Sequence, residues 1–415
     1  RPCPRYSLPM PSPEHNRARP LVWILVVAFL SSCASAAKQQ SAGENAEFNQ
    51  QKRRASLQIG AGEYAEAVRS LEALVKATPK DEQAYTMLGD AYRGLGDFAN
   101  AVKNYEQAIR IDYGDYQPHL KLGTLLMENG KTGRALTEFE IAMEFGDADP
   151  LVHYNYGLAL NELGRKKEAL VQWRAARDMA PDNAEFVAAV GIGLTGIDDK
   201  AAVEAFARAE ELGMKSAAFD NNYALALERV GENEEAESRF RRAVERNDAR
   251  QSTYRRNLAR NYLRAGKHED AAREFGVLVR DDGGKWSDTV YLARASLELG
   301  RFGDAVAALA PFAADVEAGK IARTDPRIDG MPPSLGEALS VVGMAWRGQG
   351  DLARARDYLQ RAASESPDDP SVLINYGVVL AESGMLPDAR AQWERVLKID
   401  PDNATARANL SAFGQ

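Results

Sequence analysis

The sequence predicts an all-α protein, a solenoid of about ten helix–turn–helix units. Three observations predict it. Hydrophobic residues make up 45% of the chain and charged residues 27%, an ordinary composition with ample material for a core. Aromatics are only 8%, and alanine-rich segments with few β-branched runs favour helix over strand. One pattern of glycine, alanine and aromatic positions returns every 34 residues. With 33 Gly and 18 Pro in 415 residues, collagen-like and low-complexity chains are excluded. Two cysteines rule out a disulfide framework and a Cys-based zinc module. The net charge of −8 argues against a nucleic-acid binder, which carries a basic footprint.

The first 47 residues differ from the rest. Residues 21–30 form an uncharged apolar run preceded by Arg17 and Arg19. Ten residues rise about 15 Å as a helix, half of a ~30 Å hydrocarbon core, so the run fits a signal-peptide core rather than a membrane span. It ends in Leu30-Ser31-Ser32-Cys33, which resembles the bacterial lipobox. That resemblance implies cleavage before Cys33 and lipidation of its thiol, with residues 1–32 as signal peptide; Met10 reads as the start, since the nine residues before it have no evident role. The alternative is cleavage after Ala34-Ser35-Ala36, with Cys33 incidental. Ala34 is not the aspartate that retains such proteins in the inner membrane, so the expected location is the periplasmic face of the outer membrane, held by lipid. Residues 33–47 are small and polar and read as a lipidated N-terminus and flexible tether.

From residue 48 the repeat sets in. Its clearest copy is Tyr156-Gly157, Leu160, Gly164, Ala169, Trp173, Ala176 and Pro181. The same frame gives Gly89, Gly96, Ala101 and Tyr105, and near the end Gly377, Gly384, Ala389, Trp393 and Pro401. These residues resemble the tetratricopeptide repeat, a helix–turn–helix unit whose copies coil into a superhelical solenoid. Small residues at positions 8 and 20 let the two helices approach closely. The large residue four after the alanine is expected to fill the gap between neighbouring repeats. Glycine near position 15 caps the first helix, and the late proline stops the second. The frame gives eight repeats over 48–319 and two more over 336–403, with 404–415 as a capping helix. Between them, residues 320–335 hold three prolines and a glycine, which exclude a long helix. This segment reads as a surface loop, or as a binding loop or hinge.

No phosphate-binding glycine loop, His-Glu-x-x-His or Gly-x-Ser-x-Gly occurs, and the repeats leave no room for a catalytic domain. The expectation is therefore a non-enzyme without cofactor or metal. His119 and His153 both fall at position 4, where a packed side chain is expected rather than a metal pair. Position 6 holds Asn155, Asn222, Asn257 and Asn375. Asparagine is a poorer helix former than alanine by ~0.5 kcal/mol or more, and its amide can both donate to and accept from a peptide backbone. In the family these positions line a concave groove. Lys121, Arg256, Arg260 and Arg294 also fall at inward positions and resemble, loosely, basic residues that clamp a carboxylate, though the Lys/Asn pattern of that clamp is absent.

Signal, lipobox and repeat array together resemble the TadD-type assembly lipoprotein of Flp/tight-adherence pilus systems. The resemblance implies a scaffold that binds envelope proteins, a secretin or other pilus and secretion components, through its groove, with a membrane contact through the lipid. The alternatives are a scaffold for peptidoglycan enzymes or outer-membrane protein assembly, and the regulatory arm of a glycosyltransferase-like complex.

Overall fold

The computed structural model describes residues 46–246, 249–281, 285–321 and 334–413. The apolar run, Cys33 and most of the tether lie outside the described residues, as do 322–333 of the proline-rich segment. All the regular elements among the described residues are α-helices, arranged as successive hairpins. They begin with α1 (46–60) and α2 (Tyr64–Ala77), then α3 (Glu82–Gly94) and α4 (Phe98–Ile111), α5 (Tyr116–Glu128) and α6 (Thr132–Gly146), and α7 (Pro150–Glu162) and α8 (Lys166–Met179). There follow α9 (Ala184–Leu194) and α10 (Asp199–Glu211), α11 (Ala217–Val230) and α12 (Asn233–Glu245), and α13 (Gln251–Arg264) and α14 (His268–Asp281). The last are α15 (Trp286–Glu298) and α16 (Phe302–Glu317), α17 (Leu335–Gly348) and α18 (Leu352–Glu365), α19 (Pro370–Glu382) and α20 (Leu386–Ile399), with α21 (Ala404–Ala412) closing the series. No described helix is long and apolar enough to cross a membrane.

Six of the described helices, α3, α5, α7, α9, α19 and α21, start the same way. An aspartate or asparagine at position 34 of one repeat caps the first helix of the next. Asp81 accepts from Ala84 N at 3.0 Å, Asp149 from Leu151 N at 2.8 Å, and Asn403 from Ala406 N at 3.0 Å. Such caps satisfy helix-start amides that have no partner within the helix, each contributing about 1 kcal/mol. The chain leaves the first helix through a left-handed glycine, such as Gly96 (φ 74°) or Gly384 (φ 80°), a conformation costly for residues with a Cβ.

The position-8 glycines are explained by what lies against them. A Cβ on Gly89 would sit 2.5 Å from the Tyr105 ring, and one on Gly123 2.6 Å from the Phe139 ring. The large side chain of the second helix therefore abuts the glycine of its own hairpin. This corrects the expectation that it fills a gap between repeats: it closes the hairpin first, because the missing Cβ leaves a ring-sized slot there.

The chain divides into two compact units after Ala169, within α8. The first has its core in Leu71, Leu88, Tyr105, Leu126, Phe139 and Val152, all buried. In the second, Phe206, Phe240, Phe275, Phe312 and Trp393 are fully buried in the second helices α10, α12, α14, α16 and α20. One core cluster there joins Phe312 and Ile321 to Leu339 and Val342, so hydrophobic packing runs unbroken from α16 to α17. Ser334 starts α17 with a capping box, its hydroxyl accepting from Glu337 N while the Glu337 carboxylate accepts from Ser334 N.

Candidate functional site

First helices of neighbouring hairpins in the second unit lie side by side, and their positions 5, 6 and 9 share a face. On α11 and α13 this face carries a chain of amides. Asn257 Nδ2 donates to Asn221 Oδ1 at 2.8 Å, and Asn221 Nδ2 to Asn222 Oδ1 at 3.4 Å. Asn222 and Asn257 are thus linked through Asn221, which is buried. The outer halves of the linked amides, Asn222 Nδ2 and Asn257 Oδ1, have no protein partner among the described residues. One donor and one acceptor are therefore left for a bound backbone.

Asn375 on α19 donates to Ser340 Oγ on α17 at 3.1 Å, and both line a cleft of about 730 Å³. Arg294 on α15 lines the same cleft. Arg260 of α13 and Arg294 both lie against the ring of Tyr291, their guanidinium carbons 5.2 and 5.8 Å from its centroid.

The remaining basic and amide residues singled out in the sequence have local partners. Arg256 donates from two nitrogens to the two oxygens of Asp288, both at 2.7 Å, and Asp288 is fully buried. Such a bidentate buried pair ties α13 to α15. In the first unit, Lys121 Nζ meets Asp90 at 3.0 Å, and Asp90 also accepts from Tyr105 O–H at 2.7 Å. Burial, and after it that carboxylate, hold the Tyr105 hydroxyl far above the ordinary phenol range. Asn155 turns back on its own helix, donating to Leu151 O at 2.8 Å. The two position-4 histidines each find a separate partner: His119 Nδ1 meets Glu138 at 2.8 Å and His153 Nε2 meets Asp147 O at 2.9 Å. Cys33 lies outside the described residues.

The structure therefore brings together Asn222 with Asn257, Arg260 with Arg294, and Arg294 with Asn375. Sequence reading missed Asn221, Tyr291 and Ser340, which make these connections. Signals were present: Asn221 and Asn222 form a doublet, and Tyr291 occupies position 6 of its repeat, the register of the asparagines.

A tetratricopeptide repeat family profile matches residues 52–116, 120–192 and 222–285, and a second of the same description matches 347–412. Together they cover more than half of the chain. The chain belongs to the tetratricopeptide repeat family. As a tetratricopeptide repeat protein it is a protein–protein interaction scaffold. The Cut9–Hcn1 hetero-tetramer of the APC/C matches it over 94% of both chains, at 13% identity and a TM-score of 0.50. PilF of Pseudomonas aeruginosa matches 52% of this chain and 97% of its own, at 18% identity and a TM-score of 0.44. MamA from Desulfovibrio magneticus RS-1 matches 40% of this chain and 94% of its own, at 22% identity and a TM-score of 0.36. At these identities the Cut9–Hcn1 likeness is one of fold. Comparison with curated proteins finds no match.

Proposed function

We propose that this tetratricopeptide repeat scaffold is a lipoprotein on the periplasmic face of an outer membrane, where it binds envelope proteins and aids assembly of a Flp/Tad-type pilus or secretion machine. The observation that carries the binding role is the amide chain of α11 and α13, which leaves an unpartnered donor and acceptor on one helical face. The lipobox-like Leu30–Cys33 supports the anchor, and the resemblance to TadD-type lipoproteins supports the machine.

The geometry changes the test that the sequence suggests. By helix propensity alone, replacing Asn222 and Asn257 together by alanine would leave folding intact or improve it, since alanine is the better helix former. Asn257 is the donor to buried Asn221, however, and an orphaned buried acceptor costs about 1–3 kcal/mol. Asn222 gives the cleaner variant, because it only receives a long 3.4 Å bond. The envelope partner is captured by crosslinking to the full chain, and its affinity for wild type and Asn222→Ala is compared. Losing one hydrogen bond of ~0.5–1.5 kcal/mol predicts roughly 2- to 12-fold weaker binding at an unchanged melting temperature. Equal affinity for both proteins would remove the amide chain from the binding surface.

A further inference from the structure

In the first unit two aromatic rings meet at the surface. Tyr113, in the turn between α4 and α5, is 56% exposed, and Phe145, in the last turn of α6, is 42% exposed. Their rings pack edge to face at 5.8 Å and 86°. Buried His119 of α5 packs against the Tyr113 ring at 5.2 Å and 83°, and its Nε2 has no partner. The backbone beside Phe145 is held as well. Gly146 lies against the Tyr116 ring with no room for a Cβ, and Tyr116 O–H donates to Asp149 at 2.9 Å. Rings fixed in this way lose little freedom when a ligand covers them. The charge around the pair has one sign. Asp112, Glu144 and Asp147 flank it in the chain, all exposed, and no lysine or arginine among the described residues pairs with them. No lysine or arginine occurs from 111 to 120 or from 135 to 164, although 52 of the chain's 415 residues are basic. Arg110, just before the first of these stretches, turns to Gln107 at 3.1 Å. Helices α4 and α6 both end here, and α6 has no basic residue in its last turn. Their C-terminal dipole ends therefore add to the negative potential.

We propose that Tyr113 and Phe145, with Asp112, Glu144 and Asp147 around them, form a docking surface for a partner protein segment that presents an arginine or lysine among apolar residues. The cation lies on a ring face, which attracts it through the ring quadrupole, and its apolar neighbours cover the rest of the exposed rings. The unpaired carboxylates steer such a segment in and fix the sign of charge that is accepted. The same charges repel an acidic segment and an anionic lipid surface, so the occupant is a basic stretch of protein. The surface lies at the turns between repeats of the first unit and not on the first-helix face. It is a second contact, independent of the amide chain of α11 and α13.

The probe is a displayed library of short random peptides, selected on the full chain in detergent after counter-selection on Tyr113→Ser/Phe145→Ser. The expected survivors share one Arg or Lys next to apolar residues. For such a peptide, the double variant in the protein and Arg→Gln or Lys→Gln in the peptide should each weaken binding about fivefold or more. The two losses should not multiply when combined, because they remove the same contact. The variant Asp112→Asn/Glu144→Gln/Asp147→Asn keeps both rings, so it reads the surface even if the double variant melts lower. It should bind more weakly and lose the salt dependence that wild type shows. Asn222→Ala should bind these peptides as wild type does. Three results would each overturn the surface and leave the amide-chain reading standing: no peptide surviving counter-selection, survivors without a basic residue, or unchanged affinity and salt response in the carboxylate variant. Loss of binding in Asn222→Ala would move the peptides to the amide chain and overturn the surface as well.

Discussion

At Gly123 a Cβ would come within 2.6 Å of the Phe139 ring, whereas at Gly276, inside α14, it would meet only Arg280 Nη1 at 3.5 Å. The same substitution should therefore have opposite signs at the two sites. Gly123→Ala forces a packed ring to move and should destabilise by about 1–3 kcal/mol, beyond the helix-propensity gain. Gly276→Ala should stabilise by about 0.5–1 kcal/mol, because alanine loses less backbone entropy and the guanidinium can give way. Chemical denaturation of both variants checks the pair, and a loss of stability at both positions would show that the slot model of position 8 is wrong. At this scale the sequence was legible where residue type answers to space. The small residue at position 8 follows from the ring beside it. Partner identity was not legible, since nothing in the spacing says that Asn257 reaches Asn221 rather than Asn222. A difference of one position on a helix turns a side chain by about 100°, and the tilt between α11 and α13 decides which amide is met.

Helices α10, α11 and α12 are joined by charge. Arg239 on α12, 7% exposed, holds both oxygens of Glu210 on α10 at 2.9 and 2.8 Å, and its guanidinium lies 3.9 Å from the Tyr223 ring centroid on α11. Those hydrogen bonds hold the Glu210 carboxyl below its ordinary value of 4.5. A carboxylate with a lowered folded pKa adds stability that is complete above 4.5 and is lost as the pH falls through the lowered value. Glu210→Gln should thus melt below wild type at pH 7, and the gap between them should close as the pH is taken below about 4.5. Melting curves from pH 7 to 3 test this, and a constant gap would show that Glu210 acts through packing alone. This junction could not be read from the repeat frame, because the frame specifies small and large residues and leaves charged positions open. The caps could have been read: Asp81, Asp115, Asp149, Asn183, Asp369 and Asn403 all fall at position 34. They escaped notice because glycine and proline are the louder punctuation.

For the molecule as a whole, the all-helical hairpin array was legible throughout the described residues, since a 34-residue period allows few architectures. Function was legible only in class. Many proteins share this frame, and partner choice lies in the side chains that the frame leaves free. The proposed placement in the envelope rests on Leu30-Ser31-Ser32-Cys33. Growth with an alkynyl fatty acid should label wild type and leave Cys33→Ser unlabelled, and equal labelling of both would end the lipoprotein proposal.

Within the second unit, substantial contacts reach no farther than the next hairpin: α11 touches α13 and α17 touches α19, but α13 makes none with α17. In mechanical terms such a unit is a series of yielding links rather than a block. A pull along the array would release hairpins one at a time, each freeing up to about 12 nm of extended chain, at 3.3–3.6 Å for each of its 34 residues. A partner gripped on the first-helix face could then be kept through a jolt by the surrender of a terminal hairpin, which would refold when the load fell.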